Sequence, residues 1–365
     1  MLWLDFFISS VFIIIAGLLL TKSGEQIAAK TRFSQLLIGI ILLSLVTSLP
    51  ELVTGSTAAV IAAPDLALGN VIGSNIFNLA ILALIDVLEG PGPLMLKVSI
   101  QQIMPGFLML IMSAIVGFFL VLYSVAGFSP SFWLGLESLF LVFAYILGLR
   151  LIYRYQNRSS DQDTSRASPL ADLLTVTAGD APDQEISKSA LAPRNSITGF
   201  SWTDISLPAA YLVTLISAVV ILLAGRNLIF TATEIAELTG LGHTFLGPVL
   251  LAAVTSLPEI VTSISAYKLG AFNLAVGNVL GSNLFNLLIL VWLDFFHAGS
   301  LLAASEPANL LPLFSSILMT NLILLGLFYR SRASFLRLGW GAISLLVVYV
   351  VTIILLYLFN LPVPL

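Results

Sequence analysis

Two glutamates placed inside runs apolar enough to cross a bilayer constrain this chain more than any other feature. Glu51 stands in LLSLVTSLPELVTGST and Glu259 in LLAAVTSLPEIVTSIS. A charged group at the centre of a membrane helix costs roughly 2.5–3.5 kcal/mol on insertion scales, so each glutamate needs something to offset it. A buried base cannot do so, because no Lys or Arg falls in the core of a predicted span. Permanent protonation with hydrogen bonding is a second way out. A bound cation is the better one, because the neighbouring residues are rich in oxygen.

Each glutamate is followed at the same distance by a second matched segment, GNVIGSNIFN from Gly69 to Asn78 and GNVLGSNLFN from Gly277 to Asn286. The offset is constant (259 − 51 = 286 − 78 = 208), so the chain carries an internal duplication.

With 58% hydrophobic residues, 9% charged and a mean hydropathy of +1.05, the chain departs far from soluble domains, which carry about 25% charged residues. We read it as an all-α integral membrane protein. Ten stretches approach the roughly 20 residues a span requires: 2–21, 34–61, 66–88, 103–125, 131–153, 205–229, 243–267, 272–295, 308–329 and 336–359. The first lacks a basic leader and a small-residue cleavage site, and reads as a retained span.

One polar segment, 154–204, divides the spans into a first five-helix repeat (1–153) and a second (205–365). Five is odd, so the second half enters the membrane from the opposite side, giving inverted repeats. Every Lys and Arg except Arg226 then falls on one side. Basic loops stay cytoplasmic, which places 154–204 inside and both termini outside the cell membrane. The segment reads as a flexible linker. Asp161, Asp163, Ser165 and Asp172 are similar in spacing to an EF-hand loop, but Arg166 stands where its glycine belongs.

Pro50 and Pro258 have no N–H for the carbonyls of Val46 and Val254, and they distort the turns that hold Thr47 and Thr255. Irregular backbone at membrane depth persists only where it is buried or lines a cavity. Helical spacing puts Thr47, Ser48 and Glu51 on one face, and aligns Asn70, Ser74 and Asn78, repeated as Asn278, Ser282 and Asn286, at steps of four. Gly69 with Gly73, and Gly277 with Gly281, have the spacing that lets helices approach closely. Asp65 and Asn273 precede helices and read as N-caps, and Asp86 and Asp294 close the third and eighth spans at interfacial depth.

Without cysteine, and with two histidines near span ends, a metal must take oxygen ligands. Two bidentate carboxylates plus the Thr47 and Thr255 carbonyls make six oxygens, within the range of Ca2+, and Na+ is close in size. A net charge of −4 without a basic aromatic cluster gives no sign of a nucleic-acid partner. Nothing implies a cofactor or a protein partner beyond ions and lipid. An intramembrane hydrolase or transferase lacks a nucleophile–histidine pair or a histidine cluster, so the chain does not read as an enzyme.

At TSLPE…GNVIGSNIFN (Thr47–Asn78) and TSLPE…GNVLGSNLFN (Thr255–Asn286) the chain resembles the cation/calcium exchanger superfamily, and within it the prokaryotic sodium/calcium exchangers. The resemblance implies a calcium site shared by Glu51, Glu259 and the carbonyls of Thr47 and Thr255. It implies flanking sodium sites using Ser48, Ser256, Ser74, Ser282, the Thr hydroxyls and the carbonyls of Ser44 and Ala252, with Asn78 and Asn286 lining the centre. Its implied activity is electrogenic sodium-for-calcium antiport by alternating access, with the first and sixth spans rocking. Proton/calcium antiport is the alternative, though the GNxxE pattern usual there is absent. The chain departs from the family in having Val46 and Val254 where Gly is common, and Asn at both central positions where some relatives carry one Asp.

Overall fold

The computed structural model describes residues 2–29, 44–90, 94–126, 134–174, 206–240, 242–268, 270–297, 299–330, 334–335 and 338–359. In chain order the helices are α1 (Leu2–Ala29), α2 (Ser44–Thr47), α3 (Leu49–Val60), α4 (Pro64–Glu89), α5 (Ile103–Ala126), α6 (Leu136–Leu174) and α7 (Leu207–Thr239). They continue as α8 (His243–Leu246), a π-helical turn (Gly247–Leu251), α9 (Ala252–Thr255), α10 (Leu257–Lys268), α11 (Phe272–His297), α12 (Leu301–Ala304), α13 (Leu310–Tyr329) and α14 (Trp340–Phe359). A two-residue antiparallel pairing, Ser334–Phe335 with Leu338–Gly339, is the β-structure among the described residues. Eight of these helices are long and apolar enough to cross a membrane, or nine if the bent run from His243 to Lys268 counts as one.

The centre is made by α4 and α11, the two helices that carry the GNV(I/L)GSN(I/L)FN segments. Their spanning windows are 72% and 78% buried, against 22–28% for α1, α6, α7 and α14. Sequence explains the difference: both are apolar on nearly every face and carry small residues where neighbours press. A Cβ on Gly73 would lie 2.7 Å from the Pro248 carbonyl carbon, and closer still to its Cα and oxygen. One on Gly69 would meet Pro248 Cδ at 2.7 Å. These glycines therefore serve close approach to the π-helical turn of the other half.

The expected spans at 34–61 and 243–267 are not simple helices. Residues 34–43 lie outside the described residues, and the rest breaks at Ser48 (φ −86°, ψ 12°), as the second does at Ser256 (φ −87°, ψ 8°). Both residues sit in the bridge region between helix and strand. Proline two residues on is the cause, since it cannot return an N–H to the preceding turn. The bend at Ser256 is 46°.

Three expectations are corrected. α7 runs ten residues past its predicted end at 229 and stops at Gly240, whose φ of 69° suits glycine. α6 continues to Leu174, so the first part of the segment read as a flexible linker is helical, and 161–172 forms no EF-hand loop. Residues 175–205 lie outside the described residues. Asp65 and Asn273 are tertiary staples rather than N-caps. Asp65 Oδ1 accepts from Glu306 N–H (2.6 Å) and Asn309 Nδ2 (2.8 Å), and Asn273 Oδ1 accepts from Ser99 N–H (2.6 Å).

Asp86 and Asp294, read as interfacial, are buried and tie down the chain that follows. Asp86 accepts from the N–H groups of Leu94 (2.5 Å) and Gly339 (2.9 Å). Asp294 accepts from Leu301 N–H (2.9 Å), Gly135 N–H (3.1 Å) and the Ser138 hydroxyl (2.5 Å). Backbone donors at helix ends need such acceptors when water is excluded.

α1 and α7 lie antiparallel on the outside, joined by Asn227 Nδ2 to Ser9 Oγ (2.7 Å) and Ser23 to Thr214 (2.8 Å). Each leans on a broken helix through a glycine. Gly17 of α1 faces the ring of Pro258, while Gly225 of α7 faces Val53 and Thr54.

Candidate ion-binding site

The two breaks and the two central helices converge on one buried polar cluster. All twelve residues singled out from the sequence (Ser44, Thr47, Ser48, Glu51, Ser74, Asn78, Ala252, Thr255, Ser256, Glu259, Ser282 and Asn286) have 0% exposure. They belong to α2, α3, α4, α9, α10 and α11 and to the breaks between them.

The carboxylates are bonded crosswise. Ser48, one turn before Glu51, donates to Glu259 Oε1 (3.2 Å), and Ser256, one turn before Glu259, donates to Glu51 Oε1 (3.0 Å). Ser74 of α4 adds a second donor to Glu51 Oε1 at 3.1 Å. Around this pair Thr47 meets Ser282 (3.1 Å) and Ser74 meets Thr255 (3.4 Å), again at matched positions in the two halves. The bridges join each broken helix to the other half, so the cluster exists only when the halves are assembled.

Backbone geometry follows from the breaks. The Ser44 carbonyl accepts from Ser48 N–H (3.0 Å) and the Thr47 hydroxyl (3.3 Å), and the Ala252 carbonyl from Ser256 N–H (3.0 Å) and the Thr255 hydroxyl (3.4 Å). Ser44 also donates to the Asn278 carbonyl at 3.5 Å. Thr47 and Thr255 end their short helices, where carbonyl dipoles favour positive charge.

Some oxygens find no donor in the protein. Glu51 Oε2, Glu259 Oε2, Asn78 Oδ1, Asn286 Oδ1 and Asn278 Oδ1 are buried acceptors without a hydrogen-bond partner. A buried charge that is neither paired nor bonded is costly, and among the described residues the one salt bridge, Lys97 with Glu89, is elsewhere. Nor do three or more His, Cys, Asp or Glu gather anywhere in the described residues. Two carboxylates, hydroxyls, amides and carbonyls form a hard, all-oxygen donor set, suited to alkali and alkaline-earth ions rather than to soft metals.

Several members went unread in the sequence. Thr54 accepts from Asn70 Nδ2 (2.9 Å) and Ser263 from Asn278 Nδ2 (3.0 Å), which fixes the start of each stripe. The acceptors are not at matched positions, since Ser263 corresponds to Gly55. Asn75 and Asn283 also enter the centre, bonding Asn286 and Asn78. Both lie three residues before a singled-out asparagine, and that spacing shares a helix face as surely as a step of four.

A buried, pseudo-symmetric pair of carboxylates at the breaks of two membrane helices defines a multi-pass membrane protein of the ion-transporter class. The sequence profile described as sodium/calcium exchanger protein matches residues 1–154 and 209–358, and the chain belongs to that family. Inner membrane protein YrbG of Escherichia coli is 30% identical over 71% of this chain and 68% of its own. Sodium/calcium exchanger MaX1 of Methanosarcina acetivorans is 25% identical over 95% of this chain and 96% of its own. Among solved structures, the sodium-calcium exchanger NCX_Mj soaked with Na+ and Sr2+ shares the fold, with a TM-score of 0.58 at 21% identity over 96% of both chains.

Proposed function

We infer that the chain is a secondary antiporter that exchanges sodium for calcium across the cell membrane by alternating access. The observation that carries this is the crosswise-bonded pair Glu51 and Glu259, each buried and each with an Oε2 that no protein group claims. Membership of the sodium/calcium exchanger family, and the name of the relative from Methanosarcina acetivorans, point to the same ions.

In this reading Ca2+ takes both carboxylates and the carbonyls of Thr47 and Thr255. Sodium takes Ser48, Ser256, Ser74 and Ser282 with the two Thr hydroxyls and the carbonyls of Ser44 and Ala252, and Asn78 and Asn286 line the centre. Each hydroxyl now bonded to a carboxylate or to another hydroxyl can turn its lone pairs to an ion, so the cluster is adaptable without moving the backbone. Sodium and calcium compete for the same two carboxylates, and that competition couples the two fluxes. Movement of α1 and α7 as a pair over the broken helices would open the site to each side in turn; their small contact residues, Gly17 and Gly225, suit a sliding surface.

The proposed topology is ten spans in two inverted five-helix repeats, 1–153 and 205–365, with ion-binding segments 47–78 and 255–286. The 154–204 segment lies inside and both termini outside. Matched bonding at residues 208 apart (Ser256 to Glu51 and Ser48 to Glu259; backbone N–H groups to Asp86 and to Asp294) supports the duplication.

Reconstituted vesicles loaded with sodium should accumulate 45Ca when diluted into sodium-free medium at clamped pH. Three Na+ against one Ca2+ over two carboxylates leaves a net positive charge, so an inside-positive potassium diffusion potential should accelerate that uptake. Accumulation driven by a proton gradient, and indifferent to sodium, would establish proton/calcium antiport instead.

A further inference from the structure

An asparagine amide presents an oxygen and a nitrogen of nearly equal size, so whether Asn78 and Asn286 offer a cation a ligand or a repelling N–H depends on what holds them. The holders are the asparagines of the opposite half. Asn78 Nδ2 donates to Asn283 Oδ1 (3.0 Å), and Asn286 Nδ2 donates to Asn75 Oδ1 (3.1 Å). All four side chains are buried.

The orientation of Asn283 is itself determined. Its Nδ2 donates to the Asn75 backbone carbonyl (3.1 Å) and approaches Met109 Sδ (3.6 Å). A carbonyl and a thioether only accept, so Asn283 must turn its nitrogen to them and its oxygen to Asn78. Asn78 must then present its nitrogen, which leaves its Oδ1 without a protein donor. Carbonyl, Asn283 and Asn78 thus form a chain with one solution.

The other half has no such anchor. The matching bond would run from Asn75 Nδ2 to the Asn283 carbonyl, yet Asn75 Nδ2 is buried without a partner. Asn286 is therefore held by an amide whose nitrogen no hydrogen bond orients.

We propose that Asn283 is a positioning residue that fixes Asn78 Oδ1 as a cation ligand, and that Asn286 lacks an equivalent lock, so the two amides contribute unequally to binding. The proposal rests on the reading of the cluster as a cation site. Met109 brings α5, outside both ion-binding segments, into the arrangement.

Equilibrium 45Ca binding and thermal melting of the full-length protein in detergent test it. Asn283→Leu should weaken calcium binding about tenfold, the equivalent of about 1.4 kcal/mol. Asn75→Leu, which leaves the Asn75 backbone carbonyl in place, should weaken it no more than about threefold. Aspartate has an oxygen on either side, so orientation ceases to matter: adding Asn78→Asp to Asn283→Leu should recover binding, whereas Asn78→Asp alone should not improve it. If leucine is not accommodated, Asn283→Ala removes the same bonds with less bulk and carries the comparison.

Equal losses for Asn283 and Asn75, or no recovery in the double variant, would overturn the proposal. Glu51→Gln separates the two levels. Retained calcium binding there sinks the cation-site reading itself, while its loss alongside unaffected Asn283 variants sinks only the positioning role.

Discussion

Replacing Glu51 or Glu259 with glutamine is expected to reduce sodium-driven calcium uptake by more than about a hundredfold while the protein stays folded. Removing one charge from a buried charged set typically costs 3–5 kcal/mol of interaction, and about 2.7 kcal/mol already corresponds to a hundredfold. Folding should survive because the glutamine oxygen still accepts what Glu51 Oε1 accepts, the hydroxyls of Ser256 and Ser74. The unclaimed Oε2 position loses its charge, and with it the attraction for a divalent ion. Uptake into vesicles, with a melting curve in detergent beside it, decides the matter. Normal uptake by both variants would mean that the ions bind elsewhere.

Gly73→Ala is expected to damage both stability and transport. The added methyl would overlap the Pro248 backbone, which cannot swing aside as a flexible side chain can. Overpacking of this kind costs about 1–3 kcal/mol. Relief would come from moving α4 away from the π-helical turn, carrying Ser74 off Glu51 and Asn78 off Asn283. A lower melting temperature and at least a tenfold loss of uptake should follow. Gly299→Ala is the control, since a Cβ there meets nothing within 4 Å. Equal behaviour of the two variants would show that the approach of α4 to Pro248 does not hold the site together.

Much of this was legible from residue spacing. Duplicated glutamates, a proline before each, and a polar stripe at steps of four singled out residues that the fold gathers into one buried cluster, with Ser44 and Ala252 added by the family resemblance alone. Helix boundaries were less legible, because hydropathy reports where lipid ends, whereas α6 and α7 continue as helices beyond that limit. Asp86 and Asp294 were misjudged for a similar reason. A charged residue near a span end reads as interfacial, and only the folded chain shows the backbone N–H groups gathered on it. Asn75 and Asn283 share a helix face with Asn78 and Asn286 at a step of three, but the bonds they make run to the opposite half, which a pattern within one helix cannot report.

The contacts of Gly17 and Gly225 have a consequence for how the protein cycles. These residues occupy equivalent places in the duplication (225 − 17 = 208), yet one presses on a proline ring and the other on Val53 and Thr54. The two halves have therefore settled into different postures from duplicated parts, and each posture is open to the other half. In the proposed inverted arrangement, exchanging them would set Gly225 against Pro50 and Gly17 against Val261 and Thr262, and would turn the mouth of the site to the opposite face of the bilayer. Cysteines at 225 and 50 should then cross-link only in the conformer facing the other way, and linkage in one fixed state regardless of the ions supplied would rule this handover out.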